Sequence, residues 1–166
     1  MKKLILTWQD VEHGVASIAR QISLSDWHPD LIIGVDRGGL PVSTMLSHYL
    51  NVNHETVKVS LRDGGSKESL LWAPEDVIEG KRILIVDDIN DSGATQTWIR
   101  NDWASSVAGV MPDFDLSNWH INVRWASLVE NSASKEHSDY YGVEINKAED
   151  DVWVDFPWES WWSRKT

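Results

Sequence analysis

Two carboxylates and a glycine loop rich in hydroxyls follow directly on an apolar run of this chain. The run Ile83–Val86 is followed by Asp87 and Asp88 and then, after two further residues, by Asp91 and the segment Ser92-Gly93-Ala94-Thr95. Adjacent carboxylates can accept hydrogen bonds from a ribose diol. Backbone N–H groups in a glycine loop that opens a helix can bind phosphate. The pattern therefore predicts a ribose-phosphate site at the carboxyl end of a buried strand.

A second apolar run also ends in a glycine loop. Residues 31–35 are followed by Asp36, Arg37, Gly38 and Gly39, with a proline two residues further on. The glycines permit close backbone approach to an anion, and a guanidinium is a fixed cationic fork for pyrophosphate oxygens. The proline suits the first turn of a helix. The alternative is a tight surface turn in which Asp36 and Arg37 form an ion pair.

Strands alternate with helical patterns, which predicts an α/β fold with a mainly parallel sheet flanked by helices. No linker divides the chain, so we expect one domain over residues 1–166. The predicted strands are 3–7, 31–35, 55–60, 83–86 and 121–129, and the predicted helices are 11–22, 41–50, 94–107 (with Trp98 inward) and a short helix or turn at 74–80. A tail from residue 140 alternates weakly before residues 152–158.

Composition limits the classes of function. The chain has 166 residues, a formal net charge of −11 and no cysteine. No apolar stretch approaches the ~20 residues of a membrane span, and no signal peptide is recognisable, so we expect a cytoplasmic setting. The acidic balance argues against nucleic acid as a partner. An acidic protein that binds a polyanion must concentrate its few cations at the site or enlist Mg²⁺.

The first motif resembles the phosphoribosyl-diphosphate (PRPP) motif of the type I phosphoribosyltransferases. That motif has four apolar residues, two acids, two variable residues, Asp, Thr or Ser, Gly, any residue and Thr. The family's pyrophosphate loop commonly reads Ser-Arg-Gly-Gly, and Asp36 replaces the serine here. The resemblance implies a strained peptide between Asp36 and Arg37, with cis among its forms. It also implies a three-layer, Rossmann-like fold with a small hood formed by residues 7–8 and 140–166.

The similarity is strongest to the xanthine-guanine phosphoribosyltransferases and covers nearly the whole chain. It includes the pair Thr7-Trp8 and the stretch at 151–158, which ends in Pro-Trp. In that family a tryptophan stacks on the purine and the backbone of the next residue holds the ring edge. The resemblance therefore implies these base-binding roles for Trp153 and Val154, and stacking on the flat face of a purine suits tryptophan.

One departure leaves the identity of the base open. Where the family has a lysine that donates to O6 of a 6-oxopurine, this chain has Glu130 and Asn131. Glu130 as a base ligand could accept from an amino group or a ring N–H, and Asn131 could donate if the register slips by one. In the alternative, Glu130 points to solvent and Lys135 or a backbone N–H reads the base.

The polar loop around residues 61–68 has two interpretations. It is either a plain surface connection or a flap that closes over PRPP and excludes water, with Lys67 or Arg62 reaching the departing pyrophosphate. Ser60 and Arg62 are the weaker candidates, and Lys67 is the flap cation we favour.

The resemblance implies transfer of the 5-phosphoribosyl group from PRPP to a nucleobase, most consistently a purine of the xanthine, guanine or hypoxanthine type. Asp91 takes the family's general-base position, and Arg37 and Lys67 are the catalytic cations. Mg²⁺ is expected to be held mainly by PRPP oxygens and water, with Asp88 and secondarily Asp87 on the protein side. We also expect a homodimer or homotetramer. The predicted PRPP contacts are Arg37, Gly38, Gly39, Asp87, Asp88, Asp91, Ser92, Gly93, Ala94 and Thr95.

Two other classes of protein fit part of the pattern. One is a phosphoribosyltransferase-fold regulator that senses nucleotides or PRPP with little catalysis. The other is a receiver-type phosphotransfer domain using Asp87 and Asp88, in which the second glycine loop would have no role.

Overall fold

The computed structural model describes residues 1–59, 67–68, 73–115 and 119–164. In chain order the elements are β1 (Lys2–Ile5), α1 (Trp8–Leu24), β2 (Leu31–Asp36), α2 (Leu40–Leu50), β3 (Asn53–Val59), β4 (Lys67–Glu68), α3 (Ala73–Ile78), β5 (Ile83–Asn90), α4 (Ala94–Val110), α5 (Trp119–Asn122), β6 (Val123–Asn131), β7 (Tyr140–Ile145), β8 (Val152–Asp155) and a 3₁₀ turn (Trp161–Ser163). Six of the strands form one sheet in the order β4-β3-β2-β5-β6-β7. All neighbours in it are parallel except the antiparallel pair β3 and β4. The predicted α/β class is confirmed.

The central strands are apolar throughout because helices cover both faces of the sheet. Ile32 and Leu84 belong to a core cluster with the apolar faces of α1 and α2. Ile33 and Ile85 belong to a second cluster with residues of α3 and α4. The two clusters make this a three-layer fold, and the carboxyl ends of β2 and β5 lie next to each other at one edge.

Local signals fix where the helices begin. Thr7 caps α1 in a reciprocal capping box, in which the Asp10 N–H donates to Thr7 Oγ1 at 3.1 Å and the Thr7 N–H donates to Asp10 Oδ2 at 2.8 Å. Pro41 lies in the first turn of α2, as predicted. Gly93 precedes α4 with φ of 84°, a left-handed conformation that glycine adopts without strain.

The two ends of the chain form a separate two-stranded parallel sheet, β1 with β8. Arg164 fastens this small sheet, since Nη1 donates to the Leu6 carbonyl at 2.6 Å and Nη2 to Asp155 Oδ1 at 2.9 Å. The Trp8 ring lies 5.8 Å from the Trp158 ring, so the start of α1 contacts the C-terminal segment. The two ends of the chain therefore come together, but the predicted bounds of the hood are wrong at residues 140–145, which form β7 of the main sheet, and Trp8 begins a helix. That this small sheet covers a base site stays a prediction.

Several element boundaries differ from prediction. β1 ends at Ile5 because Thr7 is needed as a helix cap, and β6 begins at Val123 because Ile121 lies in the short α5 with an exposed side chain. The weakly alternating tail forms β7, a regular edge strand of the main sheet. Trp98 is half-buried and packs against the core, as predicted.

Candidate active site

The two glycine loops meet at the carboxyl ends of β2 and β5. A Cβ on Gly38 would lie 1.9 Å from Asp88 Oδ2, and a Cβ on Gly39 would lie 2.5 Å from the Val86 carbonyl oxygen. Only glycine fits at both positions. The peptide between Asp36 and Arg37 is cis. The structure therefore brings together the two motifs that are about fifty residues apart in sequence.

The alternative of a surface ion pair within the second loop does not hold. Asp36 and Arg37 are both described, and no ion pair joins their side chains. The Arg37 side chain is exposed at the rim of the loop. It is therefore free to meet an anionic group that approaches the Gly38 and Gly39 backbone.

Asp87 and Asp88 are two adjacent, half-buried carboxylates. Asp87 Oδ1 accepts from the Asp88 N–H at 2.8 Å, and Asp88 Oδ1 accepts from the Ile89 N–H at 2.7 Å. Burial raises the pKa of Asp87 well above its ordinary value, and the negative charge of Asp88 raises it further. Burial also raises the pKa of Asp88, although its hydrogen bonds partly oppose the shift. The pair is arranged to receive hydrogen-bond donors or a cation.

The glycine loop after β5 lines a cavity of about 360 Å³. Its lining residues are Asp87 to Gln96 together with Trp125, Ala126 and Ser127. The loop turns sharply at Gly93 into a helix of 17 residues, and the Ala94 N–H donates to Ser92 Oγ at 3.3 Å. All of the sequence-predicted residues from Asp87 to Thr95 thus surround one cavity at a helix N-terminus, which favours an anion.

Asp91 lines this cavity and pairs with Lys147, a cation that the sequence analysis did not identify and that is not itself among the lining residues. Lys147 Nζ lies 2.9 Å from Asp91 Oδ2, in an ion pair between the loop after β5 and the turn after β7. The Asn131 amide donates to the Asp91 carbonyl at 2.8 Å and accepts from the Lys147 N–H at 3.0 Å. The only signal in the sequence is that Lys147 is the sole lysine or arginine between Lys135 and Arg164.

Glu130 is buried and not solvent-exposed, so the alternative in which it points to solvent is wrong. Only 3% of this residue is exposed. Oε1 accepts from Asn90 Nδ2 at 3.0 Å and Oε2 accepts from Ser127 Oγ at 2.9 Å. The structure therefore places Glu130 among neighbouring protein donors, and a base contact by this carboxylate stays only a prediction.

The two hood residues predicted to hold a base have different environments. Trp153 is 50% exposed, whereas Val154 is buried in the core beside α1. The backbone of this strand pairs with β1, with Lys3 opposite Trp153 and Leu4 opposite Val154. Neither residue is among the described residues that line the 360 Å³ cavity. The flap candidates Ser60 and Arg62, and the side chain of Lys67, lie outside what the structure describes.

The protein offers few ligands for Mg²⁺, so the ion would have to be held mainly by a bound substrate and water. Among the described residues, no group of three or more His, Cys, Asp or Glu side chains could hold a metal ion. The carboxylate oxygens of Asp87 and Asp88 are ligands of the kind that Mg²⁺ prefers. Their raised pKa values show that the charged forms are disfavoured here, and a bound cation would stabilise those charged forms. This pair can supply one or two ligands at most.

The fold and the paired loops define a class of sugar-phosphate-binding α/β proteins, and comparison with known proteins gives the family. The family model of the phosphoribosyl transferase domain matches residues 2–161. The chain belongs to the phosphoribosyltransferase family. The type I resemblance deduced from the two motifs is thereby confirmed. Within the described residues, no helix is long and apolar enough to cross a membrane.

Solved structures of similar proteins agree with this assignment. A purine phosphoribosyltransferase from Pyrococcus horikoshii is 25% identical, with a TM-score of 0.69 and all of both chains covered. A xanthine-guanine-hypoxanthine phosphoribosyltransferase from Helicobacter pylori is 17% identical, with a TM-score of 0.64, 94% of this chain and 91% of that one covered. A hypothetical protein from Neisseria gonorrhoeae with bound ppGpp is 23% identical, with a TM-score of 0.72 and 96% and 91% covered. The last two show the shared fold alone.

Proposed function

We propose that this protein transfers the 5-phosphoribosyl group from PRPP to a 6-oxopurine, releasing pyrophosphate. The observation that carries the proposal is the contact of the Gly38 loop with Asp88 beside the cavity of the Ser92–Thr95 loop. The proposal assigns the first loop to pyrophosphate and the second to a ribose 5-phosphate, the two halves of PRPP, and the contact between the loops supports it. The similarity to a purine phosphoribosyltransferase supports the choice of base class.

Each loop has a role in this reaction. Asp87 and Asp88 accept from the ribose hydroxyls, and residues 92–95 bind the 5-phosphate through backbone N–H groups and hydroxyls. Arg37 and the backbone at Gly38 and Gly39 bind pyrophosphate, with Lys67 as the further cation. Negative charge grows on pyrophosphate as the C1–O bond breaks, and positive charges aimed at it stabilise the transition state. Mg²⁺, when bound to PRPP beside Asp88, neutralises part of the same charge.

Asp91 and Lys147 explain how a base could be read without a lysine at the end of β6. A 6-oxopurine carries a ring N7–H donor next to the O6 acceptor. The Asp91 carboxylate accepts and the Lys147 ammonium donates, and the two groups are already 2.9 Å apart at a carboxylate that lines the cavity. In this proposal Asp91 receives the N7 proton and Lys147 donates to O6 once a base enters. Trp153 and the Val154 backbone remain the proposed base contacts from the hood.

The decisive experiment is an activity panel with PRPP, Mg²⁺ and guanine, xanthine, hypoxanthine, adenine or a pyrimidine. Formation of a nucleoside 5′-monophosphate and pyrophosphate from a 6-oxopurine is the expected result. Turnover of adenine alone would refute the proposed base. Calorimetric binding of PRPP without turnover of any base would favour the regulator that senses PRPP or nucleotides.

Replacement of Lys147 by Met is expected to reduce kcat/KM for 6-oxopurines by about tenfold to a hundredfold, because a charge-assisted hydrogen bond worth about 1.5–3 kcal/mol is lost. The effect should fall mainly on the KM for the base. The measurement is steady-state kinetics with each 6-oxopurine at saturating PRPP. Lys81→Met is the matched control, because Lys81 also pairs with an aspartate, Asp76, but lies before β5 at the amino end of the sheet. An equal loss in both variants would contradict the role of Lys147.

A further inference from the structure

Among the residues that the structure describes, Glu130 is the one buried carboxylate near the cavity that the proposed reaction does not use. Besides Asn90 and Ser127, its oxygens accept from the Ser138 N–H at 3.2 Å and are 3.3 Å from His137 Nδ1. A buried carboxylate needs this many donors because desolvation of its charge is unfavourable. Its partners come from β5, β6 and the segment between β6 and β7, so this single side chain joins three parts of the chain.

Asn90 connects this carboxylate to the loop that would hold the substrate. It is the last residue of β5, stands opposite Glu130 in the parallel ladder and directly precedes Asp91. Its Nδ2 also donates to the Glu136 carbonyl at 2.6 Å, and its Oδ1 accepts from Ser134 Oγ at 3.2 Å. Asn90 is only 5% exposed. All of its amide hydrogen bonds therefore lead to Glu130 or to the segment that follows β6.

The segment that follows β6 also packs closely against the Ser92–Thr95 loop. A Cβ on Gly93 would lie 2.8 Å from the Glu136 nitrogen, which shows how closely the two backbones approach. The Glu136 carboxylate binds Arg100 of α4, with Nη1 donating at 3.0 Å, and accepts from Thr97 Oγ1 at 3.3 Å. Residues 134–138, which we name the brace, thus contact the loop, the start of α4 and the end of β5.

We propose that Glu130 is a positioning residue, which fixes Asp91 and the Ser92–Thr95 loop through Asn90 and the brace. It takes this role in place of the base contact expected at the end of β6, and the catalytic part of the inference rests on the proposed function. Glu130 holds Asn90, while the next residue, Asn131, holds the Asp91 carbonyl. Two consecutive side chains of β6 thereby set the position of two consecutive residues at the end of β5.

The test compares Glu130→Met, which removes every acceptor, with Glu130→Gln, which keeps one acceptor oxygen for Asn90 and Ser138. Glu144 offers the matched control, because it stands opposite Glu130 in the ladder on β7 but is exposed. We expect Glu130→Met to raise the dissociation constant for PRPP and lower kcat by about tenfold to a hundredfold each, since small displacements of reacting groups have effects of this size. Glu130→Gln should restore most of both, and Glu144→Met should change neither.

Amide hydrogen exchange over residues 87–97 tests the positioning independently of any substrate. Faster exchange in Glu130→Met but not in Glu130→Gln or Glu144→Met is the expected result, and it remains measurable even if the proposed reaction is refuted. Normal exchange, PRPP affinity and kcat in folded Glu130→Met would overturn the inference. A changed base preference in Glu130→Gln with unchanged PRPP affinity would also overturn it. If Glu130→Met fails to fold, the same measurements are made on Asn90→Ala, which removes only the connecting amide. Faster exchange over residues 87–97 is again the expected result, and normal exchange, PRPP affinity and kcat would again overturn the inference.

Discussion

Asp91→Asn is expected to lower kcat by about 10²–10⁴-fold, the usual contribution of a general base, while the affinity for PRPP changes little. Asparagine has the same shape and keeps one side-chain oxygen for Lys147, which lies 2.9 Å from Asp91 Oδ2 in the parent protein. The shorter contact of the Asn131 amide is with the Asp91 backbone carbonyl, which the substitution leaves in place. It cannot take a proton from the base. Turnover at saturating PRPP and base, together with calorimetry of PRPP binding, separates the two effects.

The matched control for this variant is Asp26→Asn. Asp26 is exposed and precedes β2, at the amino end of the sheet and away from the cavity. It should leave kcat unchanged. Parental turnover in Asp91→Asn would remove the general-base role from Asp91, and an equal loss of PRPP affinity would indicate a binding role.

Asp87→Asn is expected to abolish measurable PRPP binding and at the same time to stabilise the protein at neutral pH. In the proposed reaction the Asp87 carboxylate accepts from the ribose hydroxyls, but burial and the neighbouring charge of Asp88 raise its pKa and so disfavour its charged form. Asparagine removes this repulsion and keeps the oxygen that accepts from the Asp88 N–H. Each kcal/mol gained should raise the melting temperature by about 2–4 °C for a chain of this size. Stability exchanged for function in this way is common at active sites.

The pH dependence of stability follows from the raised pKa of the pair. The folded protein holds the proton of the Asp87 carboxyl more tightly than the unfolded chain does, because the ordinary aspartate pKa in the unfolded chain is 3.8. The contribution of the pair to the free energy of unfolding is therefore largest at low pH. It declines as the pH rises from about 3.8 through the raised pKa. Denaturant unfolding at several pH values should show this decline in the parent and a weaker one in Asp87→Asn. An identical pH profile in both, or a lower melting temperature in Asp87→Asn at neutral pH, would contradict the assignment.

The main sheet and both loops could be predicted because their signals are local. A short apolar run such as Ile83–Val86 predicts a strand buried on both faces of the sheet. A glycine in the loop that follows marks a position where the backbone can closely approach a ligand or another part of the chain. Thr7 with Asp10 and Pro41 likewise mark helix starts from residues next to them. The parallel order then brings the ends of β2 and β5 together, so the sequence was sufficient for this half of the site.

The other half of the site depends on contacts that no local pattern records. Lys147 reaches Asp91 across 56 positions of sequence, and Glu130 reaches Asn90 across 40. A glutamate on a strand can face solvent or the interior, and only the register of β5 with β6 decides which. Sequence reasoning therefore drew attention to the end of β6 but could not determine which partners Glu130 meets.

The contact between Gly38 and Asp88 limits how this protein can evolve. Because no space separates the two residues, any side chain at position 38 must displace the Asp88 carboxylate. The loop after β2 and the carboxylates at the end of β5 consequently cannot change size one at a time. Divergence in this lineage should keep positions 38 and 88 as a covarying pair, whereas the exposed position 37 is constrained by its proposed contact with pyrophosphate and not by packing.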